Sequence, residues 1–375
     1  MRRKSLARVA VAASICLTLA ACGDDSTETT SPGQSPASGG EGASADGTVG
    51  VILPDATTSP RWESADRPFL EAAFEEAGIE ADIQNAGGNV STFGTLCDGM
   101  INQGVAVLMI VNLDSDSGSA CLGKAQDAGI QTIDYDRLTL GGGAAFYVSF
   151  DNVEVGRTMG EGLITCLDDA GTTSANIVLI NGDPTDNNAA LFKEGYEAAL
   201  QPKVDSGDYT IVGDQTGEWD ADVAGTAFEQ LFTQNNGDVD GIVSANDTMA
   251  QGIIARLSAN GLNGQVPVTG QDASVEGLQA ILAGDQCMTV YKAIEQEANA
   301  AAELAIALIN GEDAEALATG SVTDTVLDVE VPSVLETPQA IFRDNVKDVI
   351  DDGFQEASDV CTGQFQAACE ELGIS

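Results

Sequence analysis

The chain has no histidine among its 375 residues. That removes the commonest acid–base group of enzymes working near neutral pH. No Cys-x-x-Cys pair is present either, so the usual zinc ligand sets are excluded and no metal centre is expected. Basic residues are scarce: 15 Lys and Arg stand against 59 Asp and Glu, for a formal charge of −44. Binding nucleic acid needs clustered cations to neutralise phosphates, so it is excluded as a partner. The acid surplus suits a surface kept solvated in an extracellular or salty medium, and a general acidic bias without function explains it equally well. Tryptophan occurs only twice, as Trp62 and Trp219.

What is present begins with an export signal. Residues 1–21 carry Arg2, Arg3, Lys4 and Arg8, then an apolar run, then Leu19-Ala20-Ala21-Cys22. The run is too short to span a bilayer as a helix and fits a cleaved leader. Leu-x-x-Cys resembles the bacterial lipoprotein box, which implies a lipid on Cys22 of the mature chain. Residues 22–46 are Ser, Thr, Gly, Pro and Asp with almost nothing apolar, and such a stretch reads as a flexible tether. The expected location is the outer face of the cell membrane, anchored through the lipid alone.

More than 300 residues of ordinary apolar content remain, enough for two domains of about 150 residues. Strand and helix patterns alternate strictly from residue 49 onward. Strands are expected at 49–53, 81–85, 105–111 and 131–136, with helices at 62–77, 92–102 and 119–128. The same grammar repeats with helices at 153–167, 188–200, 221–233, 248–259 and 275–282 and strands at 177–180, 210–212, 242–245, 266–269 and 288–291. The spacing predicts an α/β fold of two doubly wound, Rossmann-like lobes. A long Ala-rich helix follows at 294–310.

The stretch from Gln131 to Asn152, QTIDYDRLTLGGGAAFYVSFDN, organises this pattern. Its first strand stops on Asp136 and Arg137, where backbone pairing ends and side chains can face a cleft. Its second ends on Asp151-Asn152, before the new run of elements begins. With the downstream GDPTDNN, SANDTMAQG, GQDAS and MTVYKAI, YDR and FYVSFDN resemble the bacterial solute-binding proteins for monosaccharides, most of all their D-xylose-binding branch. The resemblance covers residues 48–344. It implies the type I periplasmic binding protein fold, with a three-segment hinge whose last crossing lies near Val331-Pro332. The lobes are then expected at 47–151 with 293–331 and at 152–292 with 332–345, followed by a tail, 346–375, that the family pattern does not explain.

A sugar offers hydroxyls that donate and accept, and mildly apolar C–H faces, so its site needs amide or charged groups in plane and flat aromatics beside the ring. Trp62, next to Arg61, and Trp219, next to Asp220, both lie where a helix starts beside a strand end. The resemblance supplies the polar set: Asp136, Arg137, Asp186, Asn188, Asn246, Asp272 and Lys292 match its sugar-contacting positions. Singly, each has a local reading as a helix cap or a solvated loop acid. The loop QTGEW before and at Trp219, and residues 112–118, depart from the family pattern, which bears on which sugar is preferred.

Setting aside Cys16 in the leader and Cys22, six cysteines remain: Cys97, Cys121, Cys166, Cys287, Cys361 and Cys369. An even set in an exported protein suggests disulfides, with fifteen possible connectivities. The pairing expected from neighbouring elements is Cys97 with Cys121, Cys166 with Cys287, and Cys361 with Cys369.

The function expected is a monomeric, non-enzymatic receptor that closes over a monosaccharide, D-xylose first, and delivers it to the permease of an ATP-binding-cassette importer; no cofactor is expected. A receptor for glucose, galactose or arabinose serving a membrane sensor is the alternative. An exported glycosidase or isomerase would need paired carboxylates free to hold protons, whereas Arg137 and Lys292 beside Asp136 and Asp272 favour the ionised form. A transcription regulator of this fold would need a basic headpiece. The calcium-like run Asn236-x-Asp238-x-Asp240-Gly241 lacks the bidentate Glu and leads into a strand, Asp114-x-Asp116 lacks the rest of the pattern, and Gly141 to Gly143 is a plain turn and not a phosphate loop.

Overall fold

A computed structural model describes residues 47–374. The leader, Cys22 and the tether lie outside the described residues.

The first half follows the alternation read from the sequence. β1 (Thr48–Leu53) leads through a loop into a π-helical turn, Trp62–Asp66, and α1 (Arg67–Ala77). The helix expected over 62–77 is therefore two pieces. Pro68 has no N–H to bond back into the preceding turn, and the turn widens so that Arg67 N–H reaches Trp62 O. β2 (Glu80–Asn85), α2 (Val90–Gln103), β3 (Val107–Ile110), α3 (Ser115–Asp127), β4 (Gln131–Tyr135) and β5 (Phe146–Phe150) complete this half. β1 to β5 pair in parallel, in the order β5-β4-β3-β1-β2. Such pairing buries both faces of the sheet, and β3 and β5 are buried at every residue.

The chain then enters a second sheet. α4 (Asn152–Asp169), β6 (Ala175–Asn181), α5 (Asn187–Ser206), β7 (Tyr209–Thr216), α6 (Ala221–Gln234), β8 (Gly241–Ser244) and α7 (Asp247–Ala259) build a parallel unit of order β7-β6-β8. The strand expected at 266–269 shrinks to a single bridge between Val268 and Ile242. Pro267 lacks the N–H that a longer ladder would require, although its carbonyl still accepts from Ile242 N–H. α8 (Val275–Ala283) and β9 (Thr289–Tyr291) follow, with Gln271 bridged to Val290.

α9 (Ile294–Asn310) returns to the first sheet, where Ala298, Ala301, Leu304 and Ala305 pack against β1, β3, β4 and β5 residues. β10 (Gly320–Asp324) and β11 (Val329–Glu336) extend that sheet, β11 pairing in parallel with β5 from Ser333 to Glu336. The last crossing therefore falls after Glu336 and not at Val331-Pro332. Pro332 lies opposite Ser321 of β10, and the β5 ladder starts one residue later. β12 (Gln339–Ile341) then pairs antiparallel with β9.

The tail belongs to the second lobe. α10 (Val346–Asp351), α11 (Ala357–Val360) and α12 (Gln366–Leu372) place Val346, Val349, Val360, Cys369 and Ile374 in one cluster with Ala273, Leu278, Ile281, Tyr291 and Ile341. Disulfides join Cys97 to Cys121, Cys166 to Cys287 and Cys361 to Cys369, with Cα atoms 5.9, 6.3 and 5.8 Å apart. Each bridge stays within one lobe. Among the described residues no helix is long and apolar enough to cross a membrane, and no cluster of metal-ligating side chains occurs.

Candidate functional site

All ten residues singled out in the sequence line one cavity: Arg61, Trp62, Asp136 and Arg137 from the first lobe, and Asp186, Asn188, Trp219, Asn246, Asp272 and Lys292 from the second. They arrive from strand ends and helix starts. Asp136 follows β4, Asp186 caps α5 through Asn188 N–H at 2.9 Å, and Asn246 caps α7 through Met249 N–H at 2.9 Å. Capping and lining the cavity are thus the same residue's two tasks, one per side-chain atom.

Several of these positions use backbone that side-chain-bearing residues rarely adopt. Asp136, Trp219 and Asp272 have φ of 60°, 59° and 102°, and such strain persists only where the surroundings impose it. Gly182 is one such determinant: a Cβ there would overlap the Trp219 ring.

A buried ion cluster forms the floor. Arg61 Nη2 meets Asp66 at 2.6 Å and Glu297 at 2.9 Å, and its Nη1 meets Asp136 at 2.8 Å. Burial alone would lower the Arg61 pKa, but these acids outweigh it and raise it well above the ordinary value. Burial pushes the Asp136 carboxyl up, and Lys292, Arg61 and Arg137 overcome that and hold it well below the usual range. Glu297 is the reverse case. Burial raises its pKa well above normal despite Arg61.

Two expectations about these charges change. Asp136 is paired with Arg61 and, at 3.4 Å, with Lys292, whereas Arg137 bonds Asp186 of the opposite lobe at 2.9 Å. At Asp272 burial outweighs the opposing pull of Lys292, 3.8 Å away, and raises its pKa.

The lobes meet directly across the cavity. Ser59 Oγ donates to Asp272 Oδ2 at 2.8 Å, Asn188 Nδ2 to Asp136 Oδ1 at 3.1 Å, and Asn246 Nδ2 to Thr58 O at 3.2 Å. Both tryptophans are buried. Trp219 Nε1 donates to Asp186 Oδ2 at 3.2 Å, and its ring packs edge-on against Phe192 with centroids 6.2 Å apart. Arg61 lies 4.4 Å and Arg137 5.5 Å from the centroid of the Trp62 ring.

Sequence reading missed Thr58, Ser59, Phe192 and Gln271 in the lining. Phe192 was findable, since it lies four residues after Asn188 on the same helix face. Gln271 carries chemical information: its Oε1 and the Nε1 of Trp62 are buried without a hydrogen-bond partner. One orphan acceptor and one orphan donor in the lining of the same cavity suit a ligand whose groups both donate and accept.

Two doubly wound lobes, three crossings and a polar cavity between them define a two-lobed ligand-binding protein. Residues 49–313 match the family model described as periplasmic binding protein domain. The chain belongs to that family and has its type I fold. It is 38% identical over 317 residues to the D-xylose-binding periplasmic protein of Escherichia coli, covering 83% of this chain and 92% of the relative. It is 32% identical to the multiple sugar-binding periplasmic receptor ChvE of Rhizobium radiobacter, over 82% and 90% of the two chains. Among solved structures, a carbohydrate transporter solute-binding protein from Chloroflexus aurantiacus in complex with D-glucose superposes with a TM-score of 0.76 at 30% identity, covering 83% of this chain and 97% of that one.

Proposed function

We propose that this protein is an exported receptor that captures a monosaccharide between its lobes, D-xylose ahead of other aldoses, and delivers it to an ATP-binding-cassette importer. It works as a monomer held at the outer face of the membrane by a lipid on Cys22. The observation that carries the reading is the cavity itself: ten residues from separated segments converge on it, and neither lobe holds more than part of the polar set. A sugar hydroxyl accepting from Trp62 Nε1 and another donating to Gln271 Oε1 would satisfy two buried groups that the protein leaves unpaired. D-Xylose leads because similarity to D-xylose-binding periplasmic proteins spans most of the chain, at 38% and 36% identity.

Catalysis is disfavoured by the same geometry. Asp136 is locked in its ionised form by three cations, and the Asp186 carboxylate is engaged by Arg137, Trp219 Nε1 and Asn188 N–H. Asp136 in particular is a poor proton donor for a glycosidase.

Titration calorimetry with D-xylose, D-glucose, D-galactose and L-arabinose on the protein lacking its tether tests the reading. Saturable binding with D-xylose tightest is expected; no heat with any of the four removes the function, and a tighter rival reassigns the sugar. Mass spectrometry of protein extracted from membranes tests the anchor, which an unmodified Cys22 would exclude.

A further inference from the structure

The Asp272–Ala273 turn is the most constrained part of the cavity wall. Both residues have left-handed φ, 102° and 47°, and neither is glycine. Backbone of this kind is kept only by neighbours that leave it no alternative. Three such neighbours come from the second lobe proper: Asp272 N–H donates to Val290 O at 3.0 Å, Ala273 N–H to Thr289 Oγ1 at 3.3 Å, and Ser274 N–H to Asp247 Oδ2 at 2.9 Å. All three hold N–H groups. The carbonyl of Ala273 is held from elsewhere, by Gln355 Nε2 at 3.2 Å.

Gln355 belongs to the segment that the lobes' strand order does not require. It sits between α10 and α11, whose Val349 and Val360 share a buried cluster with Ala273. Ala273 is fully buried against the cluster that takes in Val349, Val360 and Cys369. Gln279 of α8, the helix that starts at this turn, donates to Asp359 O at 3.0 Å and Val360 O at 3.2 Å. The Cys361–Cys369 bridge closes the end of the segment.

The position of this turn matters for ligand because it aims Asp272. That carboxylate receives Ser59 from the opposite lobe at 2.8 Å and faces Lys292. A small rotation at Ala273 would move the carboxylate out of reach of both.

We propose that residues 346–374 act as a brace for the ligand site, with Gln355 a positioning residue that holds the Asp272–Ala273 turn and so sets the aim of Asp272. The inference rests on the sugar-binding reading above. Gln355 touches no ligand in this scheme, and its contribution passes entirely through the turn.

The test uses Gln355→Met, which keeps length and loses the donor, and Gln355→Lys, which keeps a donor of similar reach. Gln355 is only half-buried, so neither change threatens the fold. Two readouts are taken on each: D-xylose affinity by calorimetry, and amide hydrogen exchange of residues 270–277 without sugar. Gln355→Met is expected to bind about fivefold more weakly, the worth of one hydrogen bond, and to exchange faster across 270–277, with an unchanged melting temperature. Gln355→Lys should restore both readouts. Separating the tail's closure from its contact, the double variant Cys361→Ser with Cys369→Ser should quicken exchange over the same residues. Wild-type affinity and wild-type exchange in Gln355→Met would overturn the brace. So would equal losses in the Met and Lys variants with a lowered melting temperature, which would mark a general destabilisation. If the wild-type protein binds no monosaccharide, the functional reading fails, and the exchange measurement alone decides the brace.

Discussion

At the scale of single residues, the two tryptophans and the buried charges make separable predictions. Trp219 fills a slot that only a glycine at 182 leaves open, and its indole N–H is tied to Asp186. Trp219→Ala should weaken sugar binding by ~1–3 kcal/mol, as for a buried aromatic anchor, with the fold intact by circular dichroism; unchanged affinity by calorimetry would take Trp219 out of the site. Two carboxyls outside the cavity lining contribute to the pH response. Burial pushes Asp134 and Asp247 up to about 7, against the bonds they accept from Thr139 and from Gln286, Ser274 and Thr289. For an acid raised on folding, the native state binds more protons between the unfolded pKa, near ~4, and the folded one. Stability should therefore fall as pH rises from about 4 to 7, and stay low above it. Urea titrations at pH 5 and pH 8 check this: greater stability at pH 8 would contradict it. Asp134→Asn should flatten the slope. Charge pairing at Arg61 was not legible, because Asp66 follows it by five residues, a spacing that a regular helix would turn away.

At the scale of elements, the sequence was most readable where patterns were regular. Strands β1, β3 and β5 follow directly from apolar runs, because parallel strands buried on both faces are continuously apolar, whereas β2, at the sheet edge, is only partly buried. What failed was set by partners distant in sequence. The resemblance implied a crossing near Val331-Pro332, yet β11 runs through it to pair with β5 from Ser333 to Glu336. The π-helical turn at Trp62 was hidden because its cause, an absent N–H at Pro68, shows in the chain while the consequence, a widened turn, does not. α4 and α5 give a sharper element-level test. They approach so closely that a Cβ at Gly156 would overlap the Phe192 carbonyl, and one at Gly195 the Val153 carbonyl. Gly195→Ala should cost ~1–3 kcal/mol by overpacking and, because Phe192 lines the cavity, weaken binding too. Thermal unfolding and calorimetry on one sample measure both; a neutral effect on each would mean that the helices separate freely.

At the scale of the whole molecule, the proposed function makes closure the mechanical step, because the polar set is divided between lobes. Sugar that needs Asp136 and Arg137 on one side and Asn188, Asn246 and Asp272 on the other binds best when the lobes meet, so ligand shifts the population toward the closed arrangement. Small-angle scattering should show a smaller radius of gyration with saturating D-xylose, and an unchanged radius would remove the mechanical basis for delivery. Three disulfides confined within lobes leave that motion free.

The three crossings also dictate an order of assembly. An exported chain emerges from its amino end, so β1 to β5 appear first. Their sheet nevertheless stays unfinished until α9 and β11 arrive, nearly two hundred residues after β5 in the case of β11. The unit of β6, β7 and β8 needs no such wait, because its strands and helices are contiguous. The first sheet should thus close only after the β6–β8 unit has formed, leaving the β5 edge exposed in the interval, and late non-local pairing of this kind is slow. Pulsed hydrogen exchange during refolding would reveal it as protection gained over 175–257 before 146–150; simultaneous protection would mean that the two lobes consolidate as one.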